Sequence, residues 1–322
     1  MKKFLSILLC AVLLAIPLGL SASAADGDFA GGAKPWFIMP WWLKLQYAVK
    51  SWPQMGFKED SLLILHEGKL VYEKYAAGQG VDVPHAANSV TKSVLSALVG
   101  IAVGEARIGG VQDKVADYFN NPAIPSGQES KRDMTIEHLL TMRSGLPGDG
   151  QKGSQDCFGA PDAGLAAFLT PQKTAPGRKF KYNSGAGTQC LAGIVKNVTG
   201  KTLLGYADEK LFGPLGITGV TWEAVSDGNN KGGMGLKMTS RDMLRLGQLY
   251  LNGGAWNGEQ LLPAGWSERS QPKVNTILSY GYLFWGNGWD PLLGSSYEAR
   301  GYAGQFITIY PDKDIVVVRT GH

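Results

Sequence analysis

The apolar positions of this chain change period along its length. Near the start, "SLLILHEGKLVYEKYA" holds two apolar runs parted by Glu67-Gly68, and reads as two strands joined by a turn that the glycine supplies. Near the other end, "YGYLFWG", "ARGYAGQFITIYP" and "DIVVVRT" read as three further strands, the last two joined through Pro311-Asp312-Lys313-Asp314. Between them the spacing turns helical in "MTIEHLLTMRSG", "SGAGTQCLAGIVKNVTG", "KTLLGYADEKLF" and "TSRDMLRLGQLYLNGG". In the last of these, Thr239 is placed to cap and Asp242 to complete a capping box. Strands from the two ends of the chain are expected to share one sheet. The fold class is therefore α+β: an antiparallel sheet flanked by helices, with an inserted all-helical lobe over roughly 106–230.

One helical stretch raises a chemical question. In "ANSVTKSVLSALVGIAVGE", residues 87–105, no charge occurs from Ser93 to Gly104, and Val94, Leu95, Leu98, Val99, Ile101 and Val103 lie all round the helix. That is the pattern of a buried helix, and Lys92 stands at its mouth. An unpaired buried ammonium is costly, so a compensating role is expected. Ser89 precedes Lys92 by three residues on the same face.

The N-terminus sets the compartment. "MKK" followed by the apolar "FLSILLCAVLLAIPLGL" and the Ala22-Ser23-Ala24 site has the order of a secretory signal peptide, residues 1–24, which leaves a mature domain from 25 to 322. A periplasmic or secreted protein is expected, without stable membrane association once the signal is cleaved. Loss of Lys2 and Lys3 takes the formal charge of +4 to about +2, too mild for a nucleic-acid partner. Cleavage also removes Cys10 and leaves Cys157 and Cys190. These two could pair as a disulfide in an oxidising compartment, or pack separately, since Cys190 falls on the apolar helix "TQCLAGIV". No CxxC, HExxH or histidine cluster occurs, so neither metal nor cofactor is expected.

The residues available for catalysis narrow the chemistry. No Gly-x-Ser-x-Gly elbow is present, and of the four histidines His66, His85, His138 and His322, a structural role is expected for His66, on a strand, and for His138, in an amphipathic helix. Ser89-x-x-Lys92 supplies a nucleophile with its own base, because burial depresses a lysine's pKa and a neutral amine can take the serine proton. "KFKYNSGAG" puts Tyr182 just before a helix start, where a phenol can project into a cleft. "ARGYAGQF" offers a strand with small residues against which a substrate backbone can lie. "SGLPGDGQKGSQDCFGAPDAG", residues 144–164, reads as a long loop, a length uncommon unless functional. The tryptophans of "KPWFIMPWWLKLQYAVKSWP" read as an N-terminal helix packed on the sheet.

Taken in this order and spacing, these segments resemble the serine β-lactamase-like superfamily, class C branch, and within it the 6-aminohexanoate-dimer hydrolases and family VIII carboxylesterases. The resemblance implies Ser89 as the acylated nucleophile, Lys92 as its proton acceptor and Tyr182 as proton relay to the leaving group. It also implies an oxyanion hole from the backbone N–H groups of Ser89 and Gln305, and Ser184, Tyr302 and Gly304 as substrate-binding positions. The substrate class implied is a small-molecule ester, amide or peptide. D-alanyl-D-alanine carboxypeptidase, β-lactamase and a non-turnover penicillin-binding sensor are the alternatives. Two departures stand out: Ser184 occupies the third position of Tyr-x-Asn, and Tyr302-Ala303-Gly304 replaces a Lys-Thr-Gly whose cation recognises a carboxylate. Members of the superfamily usually continue past "DIVVVRT" into a helix that covers one sheet face. The chain is accordingly expected to be a C-terminally truncated form, with one face of that strand uncovered unless "WWLKLQYAV" covers both.

Overall fold

A computed structural model describes residues 57–272, 279–290 and 294–322. The signal segment and the tryptophan-rich stretch 34–53 lie outside the described residues. The two apolar runs at the start form strands β1 (Glu59–His66) and β2 (Lys69–Tyr75). Glu67 and Gly68, both left-handed at φ 50° and 69°, make the reversal between them. The other end supplies β3 (Trp285–Asp290), β4 (Gly294–Gly301), β5 (Gln305–Tyr310) and β6 (Ile315–Gly321). All six join one antiparallel sheet in the order β2-β1-β6-β5-β4-β3. The chain's two ends meet where Leu63 of β1 faces Val318 of β6.

Strand β6 is buried on both faces. Val316 and Val318 enter the main core, while Val317 joins Leu62, Ile64, Tyr310 and Ile315 in a second cluster against which Val71 and Tyr72 pack. Val317 too is only 1% exposed, so this face of the strand is covered as well.

Helix α1 (Thr91–Gly104) runs through the molecule, buried from Thr91 to Ala102. Helix α2 (Ala186–Thr199) begins where the Asn183 carboxamide oxygen accepts from the N–H groups of Gly185 and Gly187, each at 3.0 Å. Helix α3 (Ser240–Leu251) has the expected capping box of Thr239 and Asp242. It lies so close to the sheet that a Cβ on Gly247 would sit 2.5 Å from Val316 and 2.8 Å from Ile307. The inserted lobe is built from α2 and shorter helices such as Ile136–Leu140, Ala163–Leu169 and Leu203–Ala207. Its strand Thr221–Trp222 pairs with Leu236–Met238, which pairs in turn with His85–Ala86. This ribbon ties the lobe to the residues just ahead of Ser89.

Two expectations need correcting, and one open alternative is decided. "ARGYAGQF" is not one strand but a hairpin, since Ala303 and Gly304 at φ 63° and 82° reverse the chain between β4 and β5. In "YGYLFWG" the strand begins only at Trp285. Leu283 is left-handed at φ 60° and gives its N–H to the Leu140 carbonyl at 3.0 Å, while Tyr282, Leu283 and Phe284 enter the core. Cys157 and Cys190 are free, buried thiols in the same core cluster, where a small apolar side chain fits without pairing. Burial pushes the Cys157 thiol up to about 12 and the Cys190 thiol well above its usual range, so neither is reactive.

Candidate active site

Ser89 sits in a single 3₁₀ turn, Asn88–Val90, that runs straight into α1. The continuous helical path brings Lys92 back over Ser89, with Nζ 2.9 Å from the serine Oγ. Nζ also donates to the Gly233 carbonyl at 2.9 Å. Lys92 is 1% exposed, whereas Ser89 is half-buried and open to a substrate. Burial brings the Lys92 pKa down to about 7, against an opposing pull from the Asp149 charge. Near neutral pH a large share of the molecules therefore carry a free amine beside the serine hydroxyl.

Tyr182 approaches from the segment ahead of α2. Its phenol is influenced by the neighbouring side chains of Ser89, Ser184 and Trp285, and its ring centroid lies 4.7 Å from Lys92 Nζ. Burial raises the phenol to about 12, so it holds its proton at neutral pH. Trp285 and Tyr280 stand beside the ring at 5.2 and 6.2 Å, and Phe180 packs on both, making an aromatic wall. Ser184 is held by Asp149: its N–H and its hydroxyl donate to the two carboxylate oxygens, each at 2.6 Å. The Asp149 N–H in turn donates to the Tyr182 carbonyl at 2.9 Å.

The β4–β5 turn closes the other side. Asn88 Nδ2 donates to the Tyr302 carbonyl at 2.8 Å. Gly301 passes so near the nucleophile segment that a Cβ there would lie 2.5 Å from the Ala87 carbonyl oxygen. The Tyr302 side chain itself points outward, 73% exposed, edge-on to Phe57 at 5.1 Å. The Gly304 carbonyl accepts from Arg319 at 3.0 Å. Gln305 is buried, and its amide donates to the Gly321 carbonyl of β6 at 2.6 Å.

Ser89, Lys92, Tyr182 and Ser184 thus converge, and the turn holding Tyr302, Gly304 and Gln305 is docked on the nucleophile segment. The histidines have the structural roles their positions suggest. His138 Nδ1 accepts from Thr135 N–H in a helix cap, and His85 faces the buried Asp60 at 3.5 Å. Among the described residues no cluster of metal-ligating side chains occurs. Sequence reasoning missed Asp149, Gly233, Tyr280, Trp285 and Asn88. Asp149 lay within the loop noted for its length; Gly233 and the aromatic pair gave no local signal.

Residues 48–320 match the Beta-lactamase family, and the chain belongs to it. It has the β-lactamase fold. It is 28% identical to the 6-aminohexanoate-dimer hydrolase of Paenarthrobacter ureafaciens over 65% of this chain. The matched region spans 56% of that relative's length. A penicillin-binding protein homologue from Caulobacter crescentus superposes with a TM-score of 0.68 at 18% identity, covering 86% of this chain and 90% of that one. EstCE1, a hydrolase with promiscuous acyltransferase activity, gives a TM-score of 0.68 at 15% identity, covering 86% and 91%. These two likenesses establish fold.

Proposed function

We propose that this chain is an exported hydrolase that cleaves amide or ester bonds of small molecules through an acyl-enzyme on Ser89. The observation that carries the reading is the 2.9 Å contact between a fully buried Lys92 amine and the Ser89 hydroxyl. The Gly233 carbonyl can only accept, so it keeps one N–H of the neutral amine and leaves the lone pair for the serine proton. Ser89 Oγ then adds to the substrate carbonyl while its proton moves to Lys92. The developing oxyanion is received by the N–H groups of Ser89 and Gln305. Tyr182, protonated at neutral pH, gives its proton to the leaving nitrogen or oxygen and is recharged from the Lys92 ammonium. Water hydrolyses the ester on Ser89 and restores the free serine.

The substrate class follows from charge. Tyr302 brings no cation to the rim, and Asp149 adds an exposed carboxylate beside Ser184, so carboxylate-bearing substrates such as β-lactams and peptidoglycan termini are disfavoured. Neutral amides and esters fit this rim better. Export rests on the N-terminal signal pattern. A p-nitrophenyl ester assay beside a chromogenic β-lactam assay, with mass spectrometry of the trapped acyl-enzyme, tests the reading. Ester turnover with an adduct on the Ser89 peptide is expected, and the Ser89→Ala and Lys92→Ala losses should not add. Tyr182→Phe should lower kcat by roughly 10²–10⁴. Full ester activity in Ser89→Ala would refute the mechanism.

A further inference from the structure

Asn88 lies on the nucleophile segment, next to Ser89, and Ala303 on the β4–β5 turn. Both are non-glycine residues in the left-handed region, at φ 49° and 63°. Such backbone persists only where its surroundings hold it. The link between the two strained segments is the bond from Asn88 Nδ2 to the Tyr302 carbonyl, and because that carbonyl can only accept, the amide nitrogen must face it. From the sheet side the same carbonyl also accepts from Gln305 Nε2 at 3.4 Å. The turn is therefore held at one carbonyl from both flanks. Gly301, pressed on the Ala87 carbonyl, leaves no room for the strand to drift inward.

We infer that Asn88 is a positioning residue: its carboxamide fixes the β4–β5 turn to the nucleophile segment and thereby sets the separation of the Ser89 and Gln305 N–H groups. These two donors lie on chain segments far apart in sequence, and each immediately follows one of the tethered residues or the turn itself. An oxyanion site works only when both donors reach the same oxygen, and displacement of about 1 Å costs of order 10²-fold. Asn also suits the left-handed backbone by itself, so conformation and tether must be separated experimentally. This inference rests on the acyl-enzyme reading above.

The test compares wild type, Ser89→Ala, Asn88→Asp, Asn88→Gly and Asn88→Ala on one p-nitrophenyl ester, with inhibition by a phenylboronic acid, whose tetrahedral adduct on serine places an oxygen in the oxyanion site. Asn88→Asp keeps size and backbone preference but cannot donate; Asn88→Gly keeps the backbone freedom and loses the side chain. All three Asn88 variants should lose about tenfold to a hundredfold in kcat with KM changed less than about threefold, and boronate affinity should fall in parallel with kcat. If Asn88→Gly retains wild-type kcat and boronate affinity, only the backbone mattered and the tether is refuted. Equal loss in KM and kcat without loss of boronate affinity would also refute it. Should Asn88→Ala not fold, the Asp and Gly variants decide. Unchanged activity in Ser89→Ala would instead bring down the underlying mechanism, a result readable apart from the Asn88 series.

Discussion

At the scale of single residues the burial of Lys92 costs the fold stability. Folded, this amine loses its proton at about 7; an unfolded lysine keeps it to about 10.5. Between those values the unfolded chain binds more protons, so stability rises with pH across that window. At pH 7 the burial of Lys92 therefore costs on the order of a few kcal/mol. Lys92→Met should abolish ester hydrolysis yet raise the melting temperature at pH 7, with the gap narrowing toward pH 10; an equal or lower melting temperature at pH 7 would contradict the assignment. The rate in wild type should climb with pH around a midpoint near 7, as the amine becomes free. Asp149 opposes the downward shift, so Asp149→Asn, which keeps the side chain's size, should move the acid limb of kcat/KM to lower pH. A pH–rate profile distinguishes this from simple loss of the Ser184 contacts, which would lower the plateau without moving the limb.

At the scale of elements, the inserted lobe depends on glycine-to-glycine contact. Helix Ala163–Leu169 crosses α2 where Gly164 meets Gly193, and a Cβ on Gly193 would lie 2.5 Å from the Gly164 Cα. The obstructing atom is backbone, so it cannot swing aside as a flexible side chain would. Gly193→Ala, though it favours a helix in isolation, should destabilise by about 1–3 kcal/mol, readable as a fall in the denaturant midpoint. The sequence showed α2 as an apolar helix but not which glycine it needed for its neighbour. In the same way it showed the sheet strands at both chain ends, the Glu67-Gly68 turn and the Thr239–Asp242 cap, all of which depend on nearest neighbours along the chain. It misread the β4–β5 turn because Tyr302-Ala303-Gly304 has no proline or Asn-Gly signal, and Ala303 takes its left-handed conformation from the surrounding contacts.

For the whole molecule, the thiols report on both packing and export. Cys157 and Cys190 are sealed in the core, and Cys10 falls in the proposed leader. The exported protein should show no thiol reactive to Ellman's reagent while folded and two once denatured without reductant. Three thiols would mean the leader is retained, and none on denaturation would mean that the pair has oxidised. Arg241 of α3 grips Glu73 of β2 through two bonds of 2.8 Å, so the helix is tied to the sheet edge as well as packed on its face.

The sequence by itself determined the α+β class, the strands at both ends, and which serine, lysine and tyrosine are proposed as nucleophile, base and proton relay. Ser89 and Lys92 were legible because they lie one helical turn apart, and a spacing of three on a helix already fixes their proximity. Tyr182 was legible from its motif and the family resemblance. Only the tertiary structure decided what surrounds them. The Gly233 carbonyl on Lys92, the Asp149 carboxylate on Ser184, the Trp285 and Tyr280 wall and the Asn88 tether to Tyr302 each join segments distant along the chain. Such contacts leave no periodicity in the sequence, because they are set by how the lobe and the sheet close on one another. The state of the two cysteines was decided in the same way, by the core into which each was folded.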